Sequence, residues 1–282
     1  MISNNPPRRH GSKKRARTNL DISDSVKLQT SLPPSCVAFS PCGQYLGIAS
    51  HNVQIFLSSS VGHSATPVAT LEPPLSNDDD TTSHMMITAM AISSTFGLCA
   101  AHRDGAFLWD NAAKGVNSNE HTILDCVGLK SQIKFNATGS LVAVTVNNVV
   151  YVVDVNTKRS IVQLEGHTAI ITSLAFSPHH SQQLATASED RSFKLWDIKK
   201  RILLYQSSII SSSPFTSLVY DPYRDRLAVG SEDGKLRFYM LSVAAARSPR
   251  MDEENDREGG EGREGQEGDQ RMTSRVYVRE ER

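Results

Sequence analysis

The stretch from Leu164 to Ile198, LEGHTAIITSLAFSPHHSQQLATASEDRSFKLWDI, constrains the fold more than any other in the chain. It opens with Gly166-His167 and closes with Trp196-Asp197. Between them lie three short apolar runs with rough period-two alternation, at Ile171–Phe176, Leu184–Thr186 and Phe193–Trp196. That period belongs to strands with one face buried. Ser177-Pro178 and Glu189-Asp190-Arg191 separate the runs with turn-forming residues. The reading is strand, turn, strand, turn, strand.

The unit recurs. A first copy reads CVAFSPCGQYLGIASHNVQIF (Cys36–Phe56), a second ITAMAISSTFGLCAAHRDGAFLWD (Ile87–Asp110) and a third QIKFNATGSLVAVTVNNVVYVVD (Gln132–Asp154). The stretch above is the fourth, and a fifth reads FTSLVYDPYRDRLAVGSEDGKLRFY (Phe215–Tyr239). The matched apolar residues Phe39, Ile92, Phe135, Phe176 and Tyr220 lie 53, 43, 41 and 44 residues apart. A period of ~40–45 residues is that of four-stranded radial repeats. The long first interval holds EPPLSNDDDTTSH (Glu72–His84), which has loop composition. Outer strands are expected at Pro67–Leu71, His121–Asp125, Ser160–Leu164 and Ile202–Gln206.

The GH and WD dipeptides, at this separation and with this filling, closely resemble the WD-repeat family. The resemblance implies an all-β fold, a WD-repeat β-propeller of about five four-stranded blades over residues 35–245, as an incomplete or gapped ring. The repeats run over about 35–71, 84–126, 129–164, 166–206 and 213–245. It also implies that His167, Thr186, Asp190 and Trp196 hydrogen-bond in series across the fourth blade, a structural tetrad that identifies no ligand. The other repeats depart from this pattern. The second has Asp104 and Trp109, with Ala100 at the hydroxyl position. The third lacks both the Asp and the Trp. The fifth has Asp233 and Tyr239, with Val229 at the hydroxyl position and no preceding His. A little over half of the chain, Ile87–Tyr239, further resembles a subgroup of longer WD-repeat scaffold proteins with extra repeats after an irregular spacer. Set beside that subgroup, this chain is expected to be a truncated form, an alternative product or an imperfect gene model.

Both ends differ from the repeats. Residues 1–34 carry little apolar pattern and are expected to form a disordered basic head. Arg8 and Arg9, with Lys13, Lys14, Arg15 and Arg17, resemble a nuclear localisation signal, so nuclear import is expected. Residues 246–282 are expected to be a disordered Arg/Glu/Gly-rich tail. The terminal SRVYVR, Ser274–Arg279, is assigned no strand despite its alternation. Head and tail offset one another: the formal net charge of the 282 residues is +0, which gives no global attraction to nucleic acid or acidic lipid. No aromatic residue interleaves the basic clusters to stack on bases. The first residues lack the apolar core of a secretory signal. Leu141–Val155, the most apolar segment, is broken by Asn147-Asn148 and reads as two strands and a turn. Cys36, Cys42, Cys99 and Cys126 form no C-x-x-C pair and read as reduced thiols of an intracellular protein, cytoplasmic or nuclear.

The chain carries no phosphate loop, zinc helix or nucleophile elbow. His179-His180 follows Ser177-Pro178 in a turn, and adjacent side chains on extended backbone point apart. Asp78-Asp79-Asp80 lacks further cation ligands. The expectation is therefore no catalytic residue, no cofactor and no metal. The favoured reading is a non-catalytic scaffold that binds other proteins through loops on one propeller face. Thr168, Ala169, Glu189, Arg191, Arg103 and Glu232 are its candidate contacts. An alternative is a substrate receptor of a cullin-type ubiquitin ligase, which some propellers serve through W-D-x-R. Here the two candidates read Trp109-Asp110-Asn111-Ala112 and Trp196-Asp197-Ile198-Lys199, and lysine does not copy the arginine fork. An unrecognised propeller enzyme is the third reading. Ring closure has two readings. Val26–Leu32 closes a strained ring as the outer strand of the last blade, or the blades form an open crescent that self-associates or needs more repeats or a partner.

Overall fold

In this computed structural model the described residues are 33–60, 66–72, 86–95, 97–102, 105–109, 121–124, 132–208, 212–244 and 275–281. Their strands fall into five four-stranded antiparallel sheets, each a meander in chain order. Blade 1 comprises β1 (Cys36–Phe39), β2 (Tyr45–Ala49), β3 (Val53–Leu57) and β4 (Ala69–Leu71). Blade 2 comprises β5 (Ala89–Ile92), β6 (Leu98–Ala101), β7 (Ala106–Trp109) and β8 (His121–Leu124). Blade 3 comprises β9 (Ile133–Phe135), β10 (Leu141–Val146), β11 (Val149–Asp154) and β12 (Arg159–Leu164). Blade 4 comprises β13 (Ile171–Phe176), β14 (Gln183–Ser188), β15 (Phe193–Asp197) and β16 (Ile202–Gln206). Blade 5 comprises β17 (Phe215–Tyr220), β18 (Arg226–Ser231), β19 (Leu236–Ala244) and β20 (Arg275–Glu281). A 3-10 turn at Ser58–Ser60 is the one helical element among the described residues.

Composition explains the strands locally. β10 (LVAVTV) and β11 (VVYVVD) are dominated by β-branched residues, which suit a pleated buried surface. Every residue of β10 is buried, so its sheet is covered on both faces. Asn147 turns the chain between them at φ 54°, in the left-handed region that asparagine tolerates.

The core lies between blades, in four layers that follow the chain. Ala49, Val53 and Ile55 of blade 1 pack on Leu98, Phe107 and Trp109 of blade 2. Ala91, Cys99 and Leu108 on the other side of blade 2 meet Ile133, Val142 and Val144 of blade 3. Ala143, Val150 and Val152 of blade 3 meet Leu174, Leu184 and Trp196 of blade 4. Ala185, Phe193 and Leu195 of blade 4 meet Leu218, Leu227 and Tyr239 of blade 5. Each blade thus has a leading face, turned to the next blade, and a trailing face, turned to the one before. Along the inner edge β1 packs on β5, β5 on β9, β9 on β13 and β13 on β17. No comparable contact among the described residues joins β17–β20 back to β1–β4; Val37 and Phe39 on the trailing side of blade 1 and Phe238 on the leading side of blade 5 are exposed, while Leu46, Ile48 and Phe56 on that trailing side are buried.

The C-terminal strand corrects the expectation of a structureless tail over 246–282. Residues 275–281 form β20, which pairs with β19 from Ala244↔Arg275 to Phe238↔Glu281. The same pairing fills the outer position that Val26–Leu32 was expected to take; those residues lie outside the described ones, as do residues 1–32 generally. The physical reason is burial. Val278 packs with Leu241, opposite it in register, against the layer between blades 4 and 5. Arg237 Nε and Glu280 Oε1 add an ion pair at 3.8 Å. The thirty mostly polar residues between Ala244 and Arg275 hid this pairing, because hairpin loops usually hold about 2–5 residues.

Candidate functional site

The structure brings His167, Thr186, Asp190 and Trp196 together. Thr186 lies mid-strand in β14, fully buried, and Trp196 lies in β15. Asp190 sits in the turn joining those strands, and His167 in the loop leading into β13. Trp196 Nε1–H donates to Thr186 Oγ1 at 2.9 Å. Thr186 Oγ1 lies 2.8 Å from His167 Nε2, and His167 Nδ1 lies 2.7 Å from Asp190 Oδ2. The donors settle the order. The carboxylate can only accept, so Nδ1–H donates to Asp190, and the Thr186 oxygen that accepts from the indole also meets Nε2 at hydrogen-bond distance. Gly166 fits beside the indole at φ 146°, where a Cβ would meet the ring at 3.4 Å.

Asp190 also organises its own turn. Its Oδ1 accepts from Ser192 N–H at 2.9 Å and Ser192 Oγ–H at 2.6 Å, and Oδ2 accepts from Thr168 N–H at 3.1 Å. Burial pushes the carboxyl up, but the His167 and Ser192 hydrogen bonds, the His167 charge and the Thr168 N–H outweigh it and hold Asp190 well below the usual carboxylate range. The sequence reading missed a neighbour, Lys194, whose Nζ donates to Gln206 Oε1 at 2.5 Å and whose pKa burial lowers.

A pH dependence follows from Asp190. The folded carboxyl titrates lower than the unfolded one, which sits near 3.9. Below about pH 4 the unfolded chain takes up a proton that folded Asp190 does not, so acid favours unfolding. The stability from this group is complete above that pH and disappears as pH falls through the folded value. Asp190→Asn is therefore expected to unfold more easily at pH 7, with a shallower loss of urea midpoint between about pH 4 and 2. Asp233, held down to about 2 by Lys235 and Ser231, is common to both proteins, so the difference between their curves isolates Asp190. Identical slopes would show that Asp190 is not held ionised by the fold.

Blade 5 has no such series. Tyr239 replaces the indole and Val229 stands where blade 4 has Thr186. The Tyr239 hydroxyl is buried with no hydrogen-bond partner among the described residues. Burial, with the Glu280 charge, pushes its pKa up to about 12. An unpaired buried hydroxyl is a cost, so Tyr239→Phe is expected to leave stability unchanged or raise it by about 1 kcal/mol. A clear drop in the thermal midpoint would show that the hydroxyl has found a partner.

Five of the six candidate contact residues lie in equivalent loops of blades 4 and 5. Thr168 and Ala169 lie in the loop entering β13, and Glu189 and Arg191 in the turn from β14 to β15. Glu232 holds the equivalent turn position in blade 5. Glu189 N–H donates to Ile170 O and Glu232 N–H to Pro214 O, each at 3.0 Å. Thr168, Glu189, Arg191 and Glu232 are exposed, and Ala169 is half-buried with its carbonyl accepting from Ser188 Oγ at 3.0 Å. Two rim residues were missed. Ile170 is an exposed apolar side chain between Ala169 and β13, and Asn148 Nδ2–H donates to His167 O at 2.9 Å, tying blade 3 to this rim. Apolar alternation alone would place Ile170 in β13, not at its mouth. Arg103, Asp104, Cys126 and the basic residues Arg8, Arg9, Lys13, Lys14, Arg15 and Arg17 lie outside the described residues.

Among the described residues no group of three or more His, Cys, Asp or Glu side chains is placed to hold a metal ion. The backbone N–H groups of His179 and His180 both donate to Ser177 Oγ, at 3.3 and 3.1 Å, in a turn.

Two segments, residues 158–197 and 205–239, match the family model described as WD domain, G-beta repeat. Those two segments carry the WD-repeat pattern. Each matched repeat begins at the outer strand of one blade and runs through three strands of the next, β12–β15 and then β16–β19. Among relatives, the human nucleoporin Nup37 is 30% identical over 94 residues, which cover 33% of this chain and 28% of that protein. THO complex subunit 3 of Arabidopsis thaliana is 33% identical over 81 residues, covering 29% of this chain and 25% of that protein. The matches thus span less than a third of these relatives' own lengths. A chain in the crystal structure of the mitotic checkpoint complex has a TM-score of 0.61 at 18% identity, over 73% of this chain and 62% of that chain. At that identity the likeness is one of fold, the propeller-type stacking of four-stranded blades.

Proposed function

We infer that this chain is a non-catalytic scaffold that binds another protein through the rim of blades 4 and 5. The observation that carries the reading is a contrast at this rim. The backbone is pinned by Asp190, Ser188, Ile170 and Pro214, while Thr168, Glu189, Arg191 and Glu232 point no charge or hydroxyl into the core. Loops held on a rigid scaffold with free side chains are suited to recognition. Relatives named as a nucleoporin and a THO complex subunit support work within assemblies. The resemblance of Ile87–Tyr239 to WD repeat-containing protein 27 points the same way.

Affinity purification with mass spectrometry tests the rim. The quadruple variant Thr168→Ala, Glu189→Arg, Arg191→Glu, Glu232→Arg is expected to lose the abundant partners of the parent while keeping its thermal midpoint. An unchanged partner set in a folded variant would sink the proposal, and cullin-ligase subunits among the partners would favour a ligase receptor instead. The basic head is proposed to direct nuclear import, in line with relatives of the nuclear pore. Neutralising Lys13, Lys14 and Arg15 is expected to shift a fluorescent fusion out of the nucleus, and an unchanged distribution would remove the idea.

A further inference from the structure

The ends of the blades opposite the rim carry a second surface. There each blade turns from its first strand to its second and from its third to its fourth. The third-to-fourth turns of blades 3 and 4 are built alike. Asp154 Oδ1 accepts from Thr157 N–H and Asp197 Oδ1 from Lys200 N–H, each at 2.8 Å. Val155 N–H donates to Ser140 O at 2.9 Å and Ile198 N–H to Gln182 O at 2.8 Å, which pins each turn to the other turn of its own blade. Asn136 Nδ2–H reaches Ser181 O at 3.5 Å and ties the two blades together at this end. The backbone is fixed, and the two carboxylates that fix it are turned to backbone N–H groups.

The side chains held out by these turns are cationic. Arg159, Lys199, Lys200 and Arg201 are exposed. Among the described residues only Lys200 of these four meets a carboxylate, that of Asp197 at 3.9 Å. Lys158 and Arg201 hold the equivalent last position of the two turns, with φ of 59° and 57° in the left-handed region. Glycine takes that conformation without a Cβ penalty. A long cationic side chain kept there in both blades is a local cost to the fold, and such strain clusters at sites of binding.

Apolar groups lie beside the charges. Ile202 and Leu203, the two residues after Arg201, are 46% and 42% exposed. They pair with Asp197 and Trp196, as Arg159 and Ser160 of blade 3 pair with Asp154 and Val153. Arg159 and Ser160 are exposed as well, so this stretch of the outer strand faces solvent in both blades. Blade 3 fills it with polar side chains and blade 4 with apolar ones. Cations beside a branched apolar pair complement a peptide whose carboxylates and apolar side chains also lie side by side. A nucleic acid fits less well. Asp154 and Asp197 stand among the cations, and neither turn offers an aromatic ring to stack on a base.

We propose that this end of blades 3 and 4, through Arg159, Lys199, Lys200, Arg201, Ile202 and Leu203, docks a short peptide segment of another protein in which Asp or Glu neighbours Leu, Ile or Phe. The surface lies opposite the rim of blades 4 and 5, so it stands or falls apart from the scaffold reading.

Selection of a displayed random-peptide library on the purified full chain, followed by fluorescence anisotropy of the enriched peptides, tests this. The enriched peptides are expected to carry acidic residues beside apolar ones and to bind more weakly as salt rises. Lys199→Glu with Arg201→Glu is expected to weaken them at least about tenfold, and Ile202→Ser with Leu203→Ser to weaken them as well. Arg201→Gly separates binding from folding. It removes the cation and relieves the turn, so peptide affinity falls while the thermal midpoint does not. A selection that enriches no peptide, or only peptides without acidic residues, overturns the proposal. So does unchanged affinity in the Lys199→Glu, Arg201→Glu variant with loss in the quadruple rim variant, which would place the peptide on the rim. A single-stranded RNA homopolymer that binds more tightly than the peptides through the same residues also overturns it, since the surface would then belong to nucleic acid.

Discussion

Trp196→Ala is expected to unfold blade 4 and to lower the denaturation midpoint more than any other single substitution in the repeats. The indole is 4% exposed and lies in the layer between blades 3 and 4, with Leu141, Val152, Leu174 and Leu184. Deleting a buried aromatic side chain costs about 3–5 kcal/mol. The substitution also removes the donor to Thr186, breaking the series that continues through His167 to Asp190. An unsatisfied buried polar group costs about 1–3 kcal/mol more. Together these are comparable to the whole stability of a typical domain, about 5–15 kcal/mol. Blades contact only their neighbours, so losing one layer also uncouples blades 1–3 from blades 4–5. Trp196→Phe separates the two terms: it keeps most of the volume, loses the N–H, and should recover the larger part of the midpoint. Equal midpoints for Trp196→Ala and the parent would show that the indole is not part of the core.

The same four residues explain why blade 4 was legible in the sequence. Their chemistry is distinctive and their spacing fixed, so GH, Thr186, Asp190 and WD stand out in the amino-acid sequence itself. Blade 5 was legible only through its period. Tyr239 and Val229 preserve bulk but not hydrogen bonding, and they pack in the same places as Trp196 and Thr186. Apolar volume decides the layers, so the array tolerates loss of the polar series in blade 5 at the cost of one unpaired hydroxyl. The rim was half legible. Turn residues mark where loops are, but hydrogen bonds between blades, such as Asn148 to His167, depend on how neighbours stack. The exposure of Phe238 and Val37 was not legible, because an apolar residue in a strand reads the same whether or not a neighbour covers it.

Removing residues 275–282 is expected to disorder the outer half of blade 5 and promote aggregation. β20 is the most distant partner of its sheet in sequence, and it covers β19 along seven register pairs. Without it β19 presents an edge of nine residues, LRFYMLSVA, with unpaired backbone groups, and long apolar edges template pairing with other chains. The loss reaches inward, since Val278 and Leu241 pack beside Tyr205 and Tyr239 on the layer that joins blade 5 to blade 4. It also removes the Glu280 partner of Arg237. That pair is partly exposed and contributes about 1 kcal/mol at most, so apolar burial and backbone pairing carry the effect. Val278→Asp on the intact chain is the sharper test, because it keeps the strand's length and places a charge against the apolar layer. Both changes should make the backbone amides of β19 exchange with solvent much faster, while those of β10 and β14 stay protected. Unchanged exchange in β19 after truncation would mean that blade 5 stands as a three-stranded sheet and that β20 is dispensable to it.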